Sequence, residues 1–212
     1  MYYKIKEDGI FKIDLDTFWD SGECVGVFKM TEWDNEKILW EKCGIWHTVD
    51  EIHFCKMESH RDFLYGTFQM PAKEYGKKDE LFAIYILKDR VIILSDDDSI
   101  DKNIIRISGR AIAKDYSLER FIYDFFMSFI EDELLFLQKI EHKITGIEEQ
   151  VMKEQSDKFN IGLLKLKKII ARFYHYYTQL AEAGDELAGN EEEFFTEETV
   201  ELFKMYSEKM TR

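Results

Sequence analysis

The chain has 212 residues, 45% of them hydrophobic and 15% aromatic, which is enough for one large domain or two small ones around a packed core. Asp and Glu number 43 against 29 Lys and Arg, giving a formal net charge of -14 and a pI near 4.9. That balance disfavours nucleic acid and anionic membrane surfaces as partners and favours metal cations and basic surfaces. Cys24, Cys43 and Cys55 are odd in number and form no CxxC pair, which argues against a disulfide framework and for a reducing compartment. The start, MYYKIKEDG, lacks the apolar core of a signal peptide. No apolar run reaches the roughly 18 residues of a membrane helix, so the chain as given is read as soluble.

The first half reads as a mixed α/β unit. YYKIK (2–6) and IFKIDL (10–15) alternate about the turn signal Asp8-Gly9 and predict a pair of strands. EKILWEKCGIWHTVDEIHF (36–54) has helical spacing and is expected as two helices broken at Gly44. FLYGTFQM (63–70), LFAIYIL (81–87) and RVIILS (90–95) read as strands, the last two joined as a hairpin through Lys88-Asp89. Trp33, Trp40 and Trp46 are expected in the core.

Near residue 115 the pattern changes. Ser117 reads as a helix N-cap with Glu119 in the first turn. Ile130, Leu134, Leu137, Ile140, Ile144, Ile147 and Val151 recur every three or four residues, so a continuous helix is predicted from Ser117 to Met152. It would span roughly 50 Å. Its other faces are acidic, with Glu131, Asp132, Glu133, Glu141, Glu148 and Glu149. After the polar turn KEQSDKFN (153–160), a second seam runs through Leu163, Leu166, Ile170, Phe173, Tyr177, Leu180, Gly184 and Leu187. The short connection makes the two helices an antiparallel hairpin, which sets Lys165, Lys167, Lys168 and Arg172 beside the acidic end of the first. Thr196 reads as the N-cap of a last helix with a seam at Val200, Phe203, Ser207 and Met210. No Gly, Asn or Pro stop signal precedes Arg212, so this helix is expected to continue past the given chain.

These elements predict an α+β fold: a mixed β-sheet flanked by helices, then a long antiparallel helical hairpin and the start of a stalk helix. Residues 1–115, 116–190 and 191–212 are the expected units. Their order resembles the cytosolic part of CorA-type divalent-cation transporters. The match is strongest in FIYDFFMSFIEDELLFLQKIEHKITGIEEQVM (121–152), where that family has a Tyr, an apolar stretch with an acidic pair, then Leu-Glu-Lys-Ile-Asp/Glu and Ile-x-x-Leu-Glu-Glu-x-Val-Leu. Tyr123, Glu131-Asp132, Lys139-Ile140-Glu141, Ile144, Glu148-Glu149 and Val151 are the matching residues. LLKLKKIIARFYHYYTQLAEA (163–183) is similar to the family's returning helix, and TVELFKMYSEK (199–209) to the start of its stalk. GIWHTVDEIHF (44–54) resembles the family's Gly-Ile-x-Pro-x-x-x-Glu-Asp segment without the proline, and aligning Asp50-Glu51 with the acidic pair takes a one-residue deletion. The family's Gly-Met-Asn motif and two membrane helices lie beyond its stalk and have no counterpart in these residues.

The resemblance implies a regulatory domain at the cytoplasmic face of the cell membrane, part of a homopentamer, reaching the membrane only through helices after the stalk. It implies that carboxylates at subunit interfaces bind Mg²⁺, with Co²⁺, Ni²⁺ or Zn²⁺ as alternatives, and hold the closed state. Carried over residue by residue, the metal candidates are Glu131, Asp132, Asp50, Glu51 and Glu208; next to Glu208, Met205 stands where the family has an Asp. Two other readings stand beside this one. A heptad hairpin can be a partner-binding module with no transport role. Cys43, His47, His53, Cys55 and His60 are zinc-ligand types within a short stretch, though in no standard zinc spacing, and a zinc-transporting branch exists in the same superfamily. Asp96-Asp97-Asp98 reads as a solvated turn, since consecutive carboxylates do not converge on one ion without a special loop. No GxGxxG, P-loop, nucleophile elbow or HExxH is present, and no enzymatic activity is expected.

Overall fold

The computed structural model describes residues 1–33, 35–49, 51–74, 76–110, 115–131, 133–151 and 156–211. A seven-stranded sheet is built from β1 (Tyr2–Lys6), β2 (Gly9–Ile13), β3 (Cys24–Phe28), β4 (Lys56–His60), β5 (Phe63–Met70), β6 (Glu80–Ile86) and β7 (Arg90–Leu94), in the order β2-β1-β3-β7-β6-β5-β4. Only β3 and β7 pair in parallel, Gly26 opposite Ile92; the other pairs are antiparallel. Both expected hairpins form, with Lys6 opposite Gly9 and the Leu87 N–H donating to the Arg90 carbonyl at 2.9 Å.

Alternation along the strands splits the core into two layers. One face of the sheet carries Val25, Val27, Leu64, Phe68, Phe82, Ile84, Val91 and Ile93. It shares one hydrophobic cluster with α3 (Ser99–Ser108), α4 (Leu118–Ser128), α6 (Ser156–Gly189) and α7 (Glu197–Thr211). The other face carries Tyr65, Tyr85, Ile92 and Leu94 and meets Phe18 of α1 (Leu15–Asp20) and Leu39 of α2 (Asn35–Cys43). The α+β class read from the sequence is the observed one.

Two strands went unread. β3 (CVGVF) is apolar on both faces because it lies at the sheet centre, and Gly26 is there because a Cβ would meet the Phe18 and Phe28 rings within 3 Å. β4 (KMESH) is an edge strand with one core residue, Met57, and so shows almost no apolar alternation. Conversely, the second helix expected within 36–54 does not form. Gly44 adopts φ +70, its N–H donates to the Trp40 carbonyl and that of Ile45 to Leu39, which closes α2 in a left-handed stop. Trp40 and Trp46 leave the expected core and stack on each other at the surface, 4.5 Å between ring centroids.

The expected Ser117–Met152 helix is two helices. α4 ends at Ser128, and α5 runs from Glu133 to Val151. The cause is tertiary. Phe129 and Ile130 turn into the core with N–H bonds to Phe126 and Met127, three residues back. Arg106 of α3 donates to the freed Ser128 carbonyl at 3.1 Å. The Leu134 and Val151 side chains of the expected seam lie outside the described residues, and Leu137 is 47% exposed; Phe136 and Ile140 are the buried positions. α6 begins at Ser156, so more than half of the expected polar turn is helical. It packs antiparallel to α5, Phe136 against Phe173 at 4.3 Å and Ile147 over Gly162 at the far end. Its buried line is Leu166, Ile169, Phe173, Tyr176, Leu180, Ala183 and Leu187, rotated from the expected seam so that Ile170 is exposed.

α6 and α7 approach closely at Gly184, where a Cβ would lie 2.8 Å from the Tyr206 ring and 3.3 Å from Ser207 Cβ. Asn190, at φ +47, ends α6 and clasps the reversal, donating to the Phe195 carbonyl at 2.8 Å and accepting its N–H at 2.9 Å. Ser117 caps α4 as expected, accepting the Arg120 N–H. Thr196 precedes α7 and donates both its N–H and hydroxyl to Glu119 of α4, which ties the two helix starts together.

Candidate functional site

Glu131 sits in the turn between α4 and α5, where the chain leaves the core. Its carboxylate faces two guanidinium groups of the α3 segment: Arg106 at 3.4 Å, and Arg110, which hydrogen-bonds it directly. Arg106 is fixed in turn by Asn103 and the Ser128 carbonyl, so the ion pair and the helix break share one anchor. Asp132 and Asp50 fall outside the described residues. Glu51 is exposed and pairs with His53 at 3.4 Å. Glu208 is exposed on the last turns of α7.

Among the described residues, no group of three close metal-ligand side chains includes Glu131, Glu51 or Glu208. Mg²⁺ prefers six oxygens and keeps several waters, so carboxylates that do not converge with other ligands hold it loosely unless more join from elsewhere. A cleft of about 480 Å³ near α3 and α6 is a poor cation site, because Lys73, Lys77, Lys78, Lys102 and Arg106 outnumber Glu74 and Glu80 in its lining. In the Asp96–Asp98 turn, Asp96 accepts the N–H and hydroxyl of Thr31 and Asp98 pairs with Lys29 at 3.5 Å.

The Cys/His stretch is divided by the sheet. Cys55 lies in the layer under the helices, where burial pushes its thiol up to about 12. Cys43 lies in the opposite layer, its thiol also raised by burial. His53 is exposed beside Glu51. His47 and His60 do come together, joined by Glu58, a residue the sequence reading passed over. Period-two spacing of Glu58 and His60 was the available signal, hidden because KMESH did not read as a strand.

The family profile described as CorA-like Mg²⁺ transporter protein matches residues 42–212. The chain belongs to this family. Its fold is that of the soluble domain of CorA from Methanocaldococcus jannaschii, with a TM-score of 0.74 and 18% identity over 100% of this chain and 88% of that one. The complete CorA magnesium transporter of the same organism matches with a TM-score of 0.77 and 16% identity, over 99% of this chain and 69% of that one. The ZntB cytoplasmic domain from Vibrio parahaemolyticus RIMD 2210633 matches with a TM-score of 0.69 and 10% identity, over 99% and 93%. A search of curated protein sequences finds no match. The chain is thus a CorA-like domain of a divalent-cation transporter family, and no described helix is long and apolar enough to cross a membrane.

Proposed function

We propose that the chain is the metal-sensing and assembly domain of a divalent-cation transporter, held at the cytoplasmic face of the cell membrane. It acts without catalysis, as one subunit of a homopentamer, and meets the membrane only through helices that follow α7. Family membership over residues 42–212 carries this reading. Mg²⁺ is the first candidate ion, with Co²⁺, Ni²⁺ and Zn²⁺ after it. Glu131, Asp132, Asp50, Glu51 and Glu208 are the proposed ligands, each completed by carboxylates or waters at a subunit interface.

The surroundings of Glu131 fit a loose sensor. A bridging ion must displace Arg106 and Arg110, and exposed ion pairs of this kind are worth about 0–1 kcal/mol each. The arginines therefore weaken the site without closing it. When the ion leaves, carboxylates brought together across an interface repel, which favours the other state by the ion's differential affinity.

Thermal unfolding tests the reading. Free Mg²⁺ at ten times Kd stabilises by about 1.4 kcal/mol, or roughly 3–5 °C for a chain of this size. The Glu131→Gln and Asp132→Asn pair should cancel that shift. An unchanged melting temperature in millimolar Mg²⁺, or a shift indifferent to both substitutions, would remove the proposed ligands. A second reading, a partner-binding hairpin without a transport role, draws on Leu135, Leu137, Ile161, Leu164, Ile170 and Tyr174, which are exposed on α5 and α6.

A further inference from the structure

The sheet face away from the long helices carries a cluster that plays no part in the carboxylate reading above. Lys56, Glu58 and His60 alternate along edge strand β4 and project to one side, opposite Tyr65 and Phe63 of β5. His47 reaches the same place from the coil that follows the Gly44 stop. His47, Glu58 and His60 each offer one ligand atom, and the three atoms lie within 4.8 Å of one another. All three residues are half-buried.

Both imidazoles are held before any ligand arrives. His60 stacks on Phe63 at 4.5 Å, and His47 lies 4.3 Å from the ring of fully buried Tyr65. The hydroxyl of Tyr85, also fully buried, is 2.9 Å from His47 Nδ1 and sets the rotation of that ring, as outer partners of ligating histidines do. His60 Nε2 is shut off from solvent with no hydrogen-bond partner among the described residues. It approaches the Glu58 carboxylate only to 3.7 Å, beyond hydrogen-bond range. A nitrogen lone pair or N–H left idle in such a place calls for a partner beyond those the described residues supply.

We propose that His47, Glu58 and His60 bind one divalent transition-metal ion of the Zn²⁺ class. Two imidazoles and a carboxylate are the donor set that Zn²⁺, Co²⁺ and Ni²⁺ accept, whereas Mg²⁺ takes oxygen ligands. Three protein ligands leave a fourth position to water. Metal–nitrogen bonds of about 2.0–2.1 Å put tetrahedral ligand atoms roughly 3.4 Å apart, so the side chains close by about an ångström on binding. Lys56 tunes the site. Its ammonium is 2.8 Å from Glu58 Oε1, a local positive charge that competes with the ion. The site is separate from Glu131 and Glu208 and does not depend on the sensing role proposed for them.

The test is calorimetric titration of the tag-free 212-residue chain with Zn²⁺ after chelator treatment, with Co²⁺ as an absorption probe. The expected result is one Zn²⁺ per chain and Co²⁺ bands of a four-coordinate site without thiolate charge transfer. His47→Ala and His60→Ala should each lower affinity at least tenfold, and Tyr85→Phe roughly tenfold. Lys56→Met should tighten binding, and Cys43→Ser and Cys55→Ser should leave it unchanged. Glu58→Gln and Lys56→Met are conservative edge-strand changes that keep the test decisive if a histidine variant fails to fold. Absence of Zn²⁺ binding, equal affinity in Glu58→Gln, or loss of binding in Cys43→Ser would overturn the assignment. None of these variants touches the Mg²⁺ response assigned to Glu131, so the two readings fail separately.

Discussion

Gly184→Ala should destabilise the protein, although alanine is the better helix former. In a helix interior the exchange gains about 1 kcal/mol of propensity. At Gly184 the new methyl would stand 2.8 Å from Cδ1 of Tyr206 and 3.3–3.4 Å from Cβ and Cα of Ser207. Tyr206 is fully buried and packs edge-on against Phe126, so it has nowhere to swing. Inserting a methyl into so tight a contact costs about 1–3 kcal/mol. Taking the middle of that range, the net loss is about 1 kcal/mol, or about 2–4 °C in Tm. Gly146→Ala is the control, since among the described residues nothing lies within 4 Å of a Cβ there and only the propensity gain remains. Urea unfolding of both variants beside wild type reads the two signs. If Gly184→Ala stabilises the chain as Gly146→Ala does, α6 and α7 do not approach as described.

Phe126→Ala should cost about 3–5 kcal/mol in the same unfolding assay, because its ring is fully buried among Phe68, Phe129, Phe203 and Tyr206 and joins the sheet to α7. Asp79→Asn should cost about 1–2 kcal/mol at neutral pH, discounted for the partial exposure of its Arg172 partner. Burial raises the Asp79 carboxyl, but hydrogen bonds from the Ala72 N–H, Gln69 and Arg172 outweigh it and hold it below its usual value. A lowered folded value means the contribution is fully present above the unfolded pKa near 3.9 and fades as pH falls below it. The gap between wild type and Asp79→Asn should therefore shrink in unfolding curves at pH 3. Asn190→Ala removes the clasp on Phe195 and places a Cβ residue without that compensation at positive φ; a loss of about 2 kcal/mol is expected in thermal melts.

How much of this was legible depended on whether local pattern and tertiary context agreed. The β1–β2 and β6–β7 hairpins announce themselves through alternation and short turns, and Ser117 caps α4 for purely local reasons. The break after Ser128 has no Gly or Pro in the sequence to announce it. It is made by Arg106 reaching from another helix, so the heptad spacing across it misleads. The α6 seam was misplaced by part of a turn for a similar reason. Ile169 and Tyr176 are buried in the main hydrophobic cluster, which is set by tertiary packing outside the helix's own pattern. Glu131 is proposed on the family motif alone, and its two arginine partners were not legible, since Arg106 and Arg110 lie far back in the chain. Glu58 was invisible until β4 set it one pleat from His60.

The central claim is that this CorA-like domain reads Mg²⁺ through carboxylates shared between subunits. Sedimentation velocity of the chain across a Mg²⁺ series, with and without Glu131→Gln, tests it most directly. The prediction is a rise in sedimentation coefficient as Mg²⁺ reaches the millimolar range, reversed by chelator and weakened in the variant. A coefficient that stays constant through the series, or one that rises equally in Glu131→Gln, would contradict it.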